Sequence, residues 1–157
     1  MSRNTHVLRP PSSDRNTGLC TIAAREPMAG YGFGKELEMD WQSAIEQVTA
    51  ALEDQGFGVL TRIDVHDVLR AKIGADIEPY VILGACNPNL ASQAIGCEPE
   101  IGLLLPCNVL VKGRGDGGSA VSMIDPDSMG QMADNAALRP LMRDARARLQ
   151  AALDALG

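Results

Sequence analysis

A chain of 157 residues with 45% hydrophobic and 22% charged residues can bury one hydrophobic core, so a single domain is the default expectation. Aromatic residues make up only 3% and the net charge is -6, so base-stacking side chains and phosphate-neutralising charge are scarce and nucleic-acid binding is not expected. No apolar run approaches the roughly 18 to 20 residues of a membrane span, and the first residues lack the apolar core of a secretory signal, which predicts a cytoplasmic protein without a membrane partner.

The first 29 residues are unlike the rest of the chain. Residues 1–29 are polar, contain Pro10 and Pro11, and show no sustained helical or strand period. This pattern predicts a disordered or loosely ordered N-terminal tail. Residues 30–157 are predicted to form a single α+β domain.

The predicted domain opens with a strand and a helix. Alternating apolar residues from Tyr31 to Glu38 predict the strand. Asp40 is positioned to cap a helix whose apolar residues recur at three and four residue steps, and Gly56 is placed to end it. The segment Phe57 to Ile63 then predicts a second strand, lying beside the first.

The middle of the chain alternates short helices with apolar strands. The segment Asp64 to Gly74 predicts a short helix with an aspartate cap and a glycine end. The apolar run Tyr80 to Cys86 predicts the central strand of the sheet, covered on both faces. Asn87 and Pro88 supply a cap and a first helical residue for a helix that stops at Gly96.

A longer apolar segment follows, from Ile101 to Val111, and predicts a strand. Pro106 interrupts it, and because proline cannot donate a hydrogen bond to a neighbouring strand, we expect a bulge, a bend or a sheet edge there. The glycine-rich segment Gly113 to Gly118 predicts a hairpin into a strand over Ser119 to Ile124. The hairpin explains these glycines better than a phosphate-binding loop does, since no helix is predicted to start there.

The last part of the chain is predicted to be helical. Asp125 and Pro126 favour a short helix, and the apolar period from Leu138 to Leu156 predicts a long amphipathic helix. The order of elements favours an α+β fold with an antiparallel or mixed sheet of about five strands and helices packed on one side. Four arginines of the last helix are interpreted as a solvated face: Arg139, Arg143, Arg146 and Arg148.

Three phrases of the sequence occur together in a known family. They are GFGVLTRIDV, PYVILGACNP and IGLLLPCNVLV, in this order, within a match of about residues 30–157. On these phrases the chain resembles the bacterial and archaeal family called domain of unknown function 302. The resemblance implies a compact α+β fold of the TATA-box-binding-protein-like type and a homodimer, and it implies no established activity, substrate or cofactor.

Two of the four cysteines are the main candidates for chemistry. Cys20, Cys86, Cys97 and Cys107 form no C-x-x-C pair, so neither a disulfide framework nor a local zinc site is indicated. Cys86 ends a predicted strand directly before a helix start, where the helix dipole is expected to lower the thiol pKa. If Cys107 lies nearby, the two thiols could form a disulfide, hold a soft metal such as Cu(I), or carry sulfane sulfur. Both could equally be small buried hydrophobic residues.

Other polar residues give weaker indications. Asn87 and Asn108 follow Cys86 and Cys107 directly, which suggests a shared polar niche. His66, flanked by Asp64 and Asp67, could serve as a general base or ligand, but such a histidine is more often exposed in the first turn of a helix. The carboxylates of Asp125 and Asp127 could form a metal or acid-base pair, although helix capping explains Asp125 better.

Three hypotheses for function remain open at this point. The first is a non-enzymatic binding module for a small ligand, a soft metal or a sulfur species, with the ligand-binding set Cys86, Asn87, Cys107 and Asn108. The second is a thiol-dependent redox or sulfur-transfer enzyme, with Cys86 as nucleophile and Cys107 as resolving thiol. The third is a structural or partner-binding domain. Cys86 and Cys107 are the candidates for both catalysis and metal binding, and the sequence names no cofactor.

Overall fold

The computed structural model describes residues 30–157, so the predicted tail over residues 1–29 lies outside the described residues. Five strands and five α-helices follow one another along these residues. In chain order they are β1 (Gly32–Leu37), α1 (Trp41–Asp54), β2 (Gly58–Asp64), α2 (Val65–Ile73), β3 (Tyr80–Cys86), α3 (Pro88–Cys97), β4 (Cys107–Gly113), β5 (Ser119–Ile124), α4 (Pro126–Ala133) and α5 (Arg139–Asp154). Two short 3-10 helices, Pro99–Leu103 and Ala136–Leu138, complete the chain path.

The strands form one antiparallel sheet in the order β1-β5-β4-β3-β2. The predicted α+β fold with a five-stranded sheet is confirmed. Two predictions about strand order are wrong: β2 lies at the opposite edge from β1, and the central strand is β4, with β3 beside it. The reason is that β5 pairs with β1 after the β4–β5 hairpin, which separates β1 from β2.

One face of the sheet carries the hydrophobic core. Side chains alternate between the two faces of a strand, and the buried set on the three inner strands falls on one face. That set contains Val81, Leu83, Ala85, Val109, Val111, Val121 and Met123. Helix α1 packs on this face, and α5 packs against α1. The prediction that β3 is covered on both faces is wrong, because the intervening Ile82 stays partly exposed.

The open face carries a row of aliphatic side chains across three strands. Ile63 is the register partner of Ile82, and Ile82 is the register partner of Leu110. Ile63 at the β2 edge is 47% exposed, and the other two are partly exposed. An apolar row therefore remains accessible on the face opposite the helices.

Helix starts and ends follow the predicted capping residues with two exceptions, at Asp64 and at Gly96. The helix predicted to stop at Gly96 continues to Cys97, and Glu98 is its C-cap. Asp40 accepts hydrogen bonds from the backbone amides of Gln42 and Ser43, and Asp125 accepts one from Asp127. Gly74 ends α2 with φ of 67°, in the left-handed region that glycine adopts without strain. Asp64 precedes α2 but makes no side-chain capping bond. Its carboxylate instead pairs with Arg62 at 2.8 Å.

The segment predicted as one strand from Ile101 to Val111 divides at Pro106. Residues Pro99–Leu103 form a 3-10 helix, and β4 begins only at Cys107. The Leu105–Pro106 peptide bond is cis. A short apolar run does not by itself distinguish a buried helical turn from a strand. For this reason the sequence pattern predicts one strand where the structure has a 3-10 helix followed by β4. Within residues 30–157, no helix combines the length and hydrophobicity needed to cross a membrane.

Candidate functional site

The two candidate cysteines lie at the same end of neighbouring strands. Cys86 is the last residue of β3 and Cys107 is the first residue of β4. The strands run antiparallel, and the register partner of Cys107 is Ala85, one residue before Cys86. Both thiols are free, as is the exposed Cys97 at the end of α3, and none of the three takes part in a disulfide.

The alternation of side chains divides the predicted ligand set between the two faces. Cys107 belongs to the helix-covered face together with Ala85 and is 7% exposed. Asn108, the next residue, belongs to the open face opposite Gly84 and is exposed. Cys86 has the parity of the open face and is partly exposed. The predicted niche shared by all four residues is therefore split, with Asn108 separated from Cys107 by the sheet.

Asn87 lies on the same side as Cys107. Its side-chain oxygen accepts a hydrogen bond from the Leu90 amide at 3.2 Å, which caps α3 as predicted, and the residue is 8% exposed. Its amide nitrogen lies against Gly56, where a Cβ atom would come within 3.1 Å. Because Gly56 has φ of 79°, glycine suits this position on both counts. Asn87 is thus held between two elements.

Cys107 and Asn87 line a small cavity with a volume of about 30 Å³. A space of this size accommodates one or two atoms and no organic ligand. The remaining walls are almost wholly apolar and come from segments far apart in sequence, so no local motif could have revealed them. They include Phe57, Leu90, Leu105, Met129 and Met142.

Burial controls the ionisation of both thiols. The pKa of Cys107 is raised to about 11, chiefly by loss of hydration and secondarily by the charge of Cys86. Loss of hydration also raises the pKa of Cys86. The expected lowering of the Cys86 pKa by the helix start is therefore wrong, because partial burial disfavours the thiolate and raises the pKa. The two thiols are close enough to interact electrostatically.

His66 occupies the first turn of α2, but it is buried and not exposed as expected. Its Nδ1 atom accepts a hydrogen bond from the Tyr80 backbone amide at 3.2 Å. Its ring lies edge-on to Trp41, with 5.6 Å between ring centroids. The Asp67 carboxylate is 3.7 Å from Nε2. These contacts join α2, β3 and α1, so the structure gives His66 a structural role.

The carboxylates considered for metal binding have other partners. Asp125 caps α4 and lies 3.0 Å from the Arg146 guanidinium, while Asp127 lies 3.7 Å from the same group. Among residues 30–157, no three side chains of His, Cys, Asp or Glu gather in a way that could hold a metal ion. A site with several protein ligands is thus excluded for the described part of one chain.

Comparison with known proteins identifies a family and solved structures of similar fold. The family described as domain of unknown function DUF302 matches residues 33–156. The chain is also similar to the crystal structure of an uncharacterized conserved protein DUF302 from Bacillus stearothermophilus. The sequences are 30% identical, the TM-score is 0.76, and the match covers 82% of this chain and 100% of the other. No curated protein matches the chain.

Proposed function

Starting from the fact that this chain belongs to the DUF302 family, we propose that it is a non-enzymatic binding module for a thiophilic atom at the end of β3 and β4. The atom is either a sulfane sulfur or a soft metal ion such as Cu(I), and Cys107 is its ligand, with Cys86 as the neighbouring thiol. The observation that carries the proposal is the cavity of about 30 Å³ beside the buried Cys107.

The size of this cavity selects the class of ligand. A site for an organic molecule normally offers several hundred Å³, about ten times the space beside Cys107. One added sulfur atom or one metal ion requires no such volume. Thiolates prefer soft ions such as Cu(I), which tolerate few ligands, whereas zinc prefers four. The proposal therefore narrows the predicted small ligand to a single atom.

The pKa directions favour binding over nucleophilic catalysis. A catalytic cysteine is normally activated by a lowered pKa, because the thiolate is the nucleophile. Both Cys86 and Cys107 have raised pKa values instead. The thiol-enzyme alternative requires a cysteine with a lowered pKa, and neither Cys86 nor Cys107 has one in the unbound protein. A thiol that stays protonated until a soft metal ion displaces its proton, or until its thiolate takes a sulfur atom from a polysulfide donor that leaves one sulfur shorter, suits a storage or carrier role. Such a role suits a reducing compartment like the cytoplasm.

Native mass spectrometry of anaerobically purified protein tests the proposal. We expect a stoichiometric adduct with the mass of one sulfur atom or one copper ion, and the mass itself identifies which. The adduct should be lost in Cys107→Ser and weakened in Cys86→Ser. The exposed Cys97 provides the matched control, so Cys97→Ser should keep the adduct in full.

Loading experiments keep the test decisive if the purified protein carries nothing. Anaerobic addition of Cu(I), or of a polysulfide donor, should label the wild type and the Cys97→Ser variant at one site. Labelling that is equal in Cys107→Ser would contradict the proposal, since it would occur away from the cavity. Circular dichroism of each variant verifies that the fold is intact.

We further propose that the protein acts as a homodimer, as the resemblance to the family implied. The support from this chain is the apolar row Ile63, Ile82 and Leu110 on the sheet face that no helix covers. Aliphatic side chains gathered on one exposed face favour burial against a second surface. A second copy of the same chain presents an identical row, as a two-fold interface requires.

Sedimentation equilibrium of the full chain tests the dimer. Ile82→Lys places a charge in the centre of the row and should shift the protein to monomer. Leu103→Lys is the matched control, because Leu103 is 83% exposed and belongs to a 3-10 helix outside the sheet. A monomeric wild type, or a dimer unaffected by Ile82→Lys, would refute this interface.

A further inference from the structure

A second concave site lies between α4 and the first half of α5, and neither Cys86 nor Cys107 lines it. It is an open cleft of about 490 Å³, within the range of small-molecule sites. Residues of α4 and its C-terminal cap form one wall, and residues of α5 form the other. The polar lining residues are Asp127, Gln131, Asp134, Asn135, Arg139 and Arg143.

The two helices approach each other closely at the base of the cleft. A Cβ atom at Gly130 would lie 2.9 Å from Cγ of Met142, so only glycine permits this approach without a shift of the methionine. Both residues line the cleft. The base is therefore formed by packed backbone and an apolar side chain, and the polar groups are confined to the walls.

The arginines in the cleft differ from the other arginines of the described residues. Residues 30–157 contain seven arginines, and five of them form ion pairs with carboxylates. Arg139 and Arg143 are the two that pair with no carboxylate of the described chain. Both are largely exposed, and both line the cleft.

The positions of Arg139 and Arg143 destabilise α5 when no anion is bound between them. They lie four residues apart on α5, so their like charges face each other one turn apart and repel. Arg139 is also in the first turn of α5, where the helix dipole disfavours a cation. An anion between the two guanidiniums would neutralise both effects. A pair that only solvated the helix would be better placed near its C-terminal end.

We propose that this cleft binds a small polar molecule through an anionic group, a phosphate or a carboxylate, held by Arg139 and Arg143. The guanidinium group presents several N–H donors in a fork that matches both of these anions. Met142 lines both the cleft and the thiol cavity, but the cleft takes a ligand of a different class. The inference does not rest on the function proposed for Cys86 and Cys107.

The opposite wall indicates what else the ligand carries. Asp134 is exposed, forms no ion pair within residues 30–157, and lines the cleft facing the arginine-bearing helix. Gln131 lies on the same wall. A carboxylate at this position accepts hydrogen bonds and repels a bare anion. The ligand is thus expected to be an anion that also carries hydroxyl groups, such as a phosphorylated or carboxylated polyol.

Titration of the full-length ¹⁵N-labelled chain by NMR tests this site. The probes are inorganic phosphate, ribose 5-phosphate, gluconate and neutral ribose, all at constant ionic strength so that screening does not change. We expect ribose 5-phosphate or gluconate to shift the signals of Gly130, the Asn135 side chain and the Arg139 and Arg143 Nε groups. Preference for one probe distinguishes the phosphate from the carboxylate, and neutral ribose should shift none of them.

Charge-matched variants locate the binding. Arg139→Gln or Arg143→Gln should weaken binding of the preferred probe by about tenfold or more, the loss expected for a charge-assisted hydrogen-bonded pair. Arg148→Gln removes the same charge from the same helix at a residue that pairs with Asp144, and it should leave binding unchanged. Neither cleft variant should unfold the protein, because each removes a repulsion.

A third variant tests the role of the opposite wall. Asp134→Asn should reduce the preference for ribose 5-phosphate over inorganic phosphate while keeping or improving phosphate binding. Equal binding by the wild type and the Arg139→Gln, Arg143→Gln double variant would overturn the proposal. So would the absence of any shift at millimolar concentrations of all four probes, or a neutral ribose that binds as well as its phosphate.

Discussion

The thiol of Cys107 makes stability depend on pH above neutrality. Its pKa is raised to about 11 in the folded protein, from the ordinary value of 9.0 that applies in an unfolded chain. Between these values the unfolded state releases the proton and the folded state retains it, so a rise in pH favours unfolding. We expect the free energy of unfolding to fall by roughly 3 kcal/mol across this window and to change no further above it.

Urea denaturation at several pH values from 7 to about 11.5 measures this effect, with Cys107→Ala as the comparison. Other groups that titrate in the window are present in both proteins, so the difference between the two curves isolates the thiol. The variant will be less stable at pH 7, because the substitution enlarges a cavity. The two proteins should converge as the pH rises, and parallel curves would show that the thiol ionises freely in the fold.

Two glycines should respond oppositely to alanine. A Cβ at Gly84 would clash with the Thr61 hydroxyl and lie 2.8 Å from Cγ of Pro106. Gly84→Ala should therefore cost about 1 to 3 kcal/mol. Gly96, within α3, has open space around its Cβ position, so Gly96→Ala should add about 0.5 to 1 kcal/mol. Thermal denaturation of both variants provides the comparison, and destabilisation by Gly96→Ala would contradict this account.

The sequence located the candidate cysteines but did not determine their surroundings. Cys86 was correctly predicted at a strand end before a helix, because Asn87 and Pro88 carry a strong local signal. The face occupied by Cys107 depends on where β4 begins after Pro106. The continuous apolar run around Pro106 does not show where that strand begins. The raised pKa depends on burial by side chains such as Met129 and Met142, brought in from distant helices. Neither property has a local pattern.

At the scale of elements, the sequence predicts the residues that cap helices but not which strands pair in the sheet. Asp40, Asn87 and Asp125 begin helices as expected, because a cap acts within three residues of itself. Strand order depends on which surfaces fit together across the whole chain. The β1–β5 pair joins Gly32 to Ile124, over 90 positions apart, and alternation within either strand does not specify the other. The implied likeness to the TATA-box-binding-protein-like fold stays a prediction.

His66 connects three elements and provides a test of how they are joined. His66→Ala removes the acceptor for the partly buried Tyr80 amide and the edge contact with Trp41. We expect a loss of about 1 kcal/mol or more, the cost of leaving an amide shielded from water without a partner. His66→Asn keeps a short side-chain acceptor and should recover part of the loss.

Fluorescence of Trp41, the single tryptophan of the chain, reports on this junction directly. Urea unfolding followed by this signal and by circular dichroism should give one transition in the wild type. In His66→Ala, the tryptophan signal should change at a lower urea concentration than the helical signal does. Coincident transitions with unchanged midpoints would show that the contact contributes nothing to the attachment of α2.

At the scale of the whole molecule, side-chain contacts join the first strand, β1, to the last helix, α5. The amine of Lys35, on β1, donates a hydrogen bond to the carbonyl of Leu156, just beyond α5. A cation at this end of a helix also complements its dipole. The Arg146 guanidinium lies 5.4 Å from the centroid of the Phe33 ring and reaches Asp125 at the start of α4. These contacts join segments that are about as distant in sequence as residues 30–157 permit.

Arg146 should therefore be sensitive to a substitution that keeps its charge. Lysine cannot stack its planar group on Phe33 and donate to Asp125 in the same geometry, so Arg146→Lys is expected to lose about 1 kcal/mol. Arg148→Lys is the control, because Arg148 on the same helix makes only a partly exposed pair with Asp144, worth about 0.3 to 0.5 kcal/mol.

A double-mutant cycle with Phe33→Leu separates the stacking of Arg146 on the Phe33 ring from its charge pairing with carboxylates. If Arg146→Lys costs the same in both backgrounds, the ring contributes nothing and the carboxylates alone hold the guanidinium. If the cost falls in the Phe33→Leu background, the arginine couples β1 to α5, and the two ends of the described chain depend on one side chain.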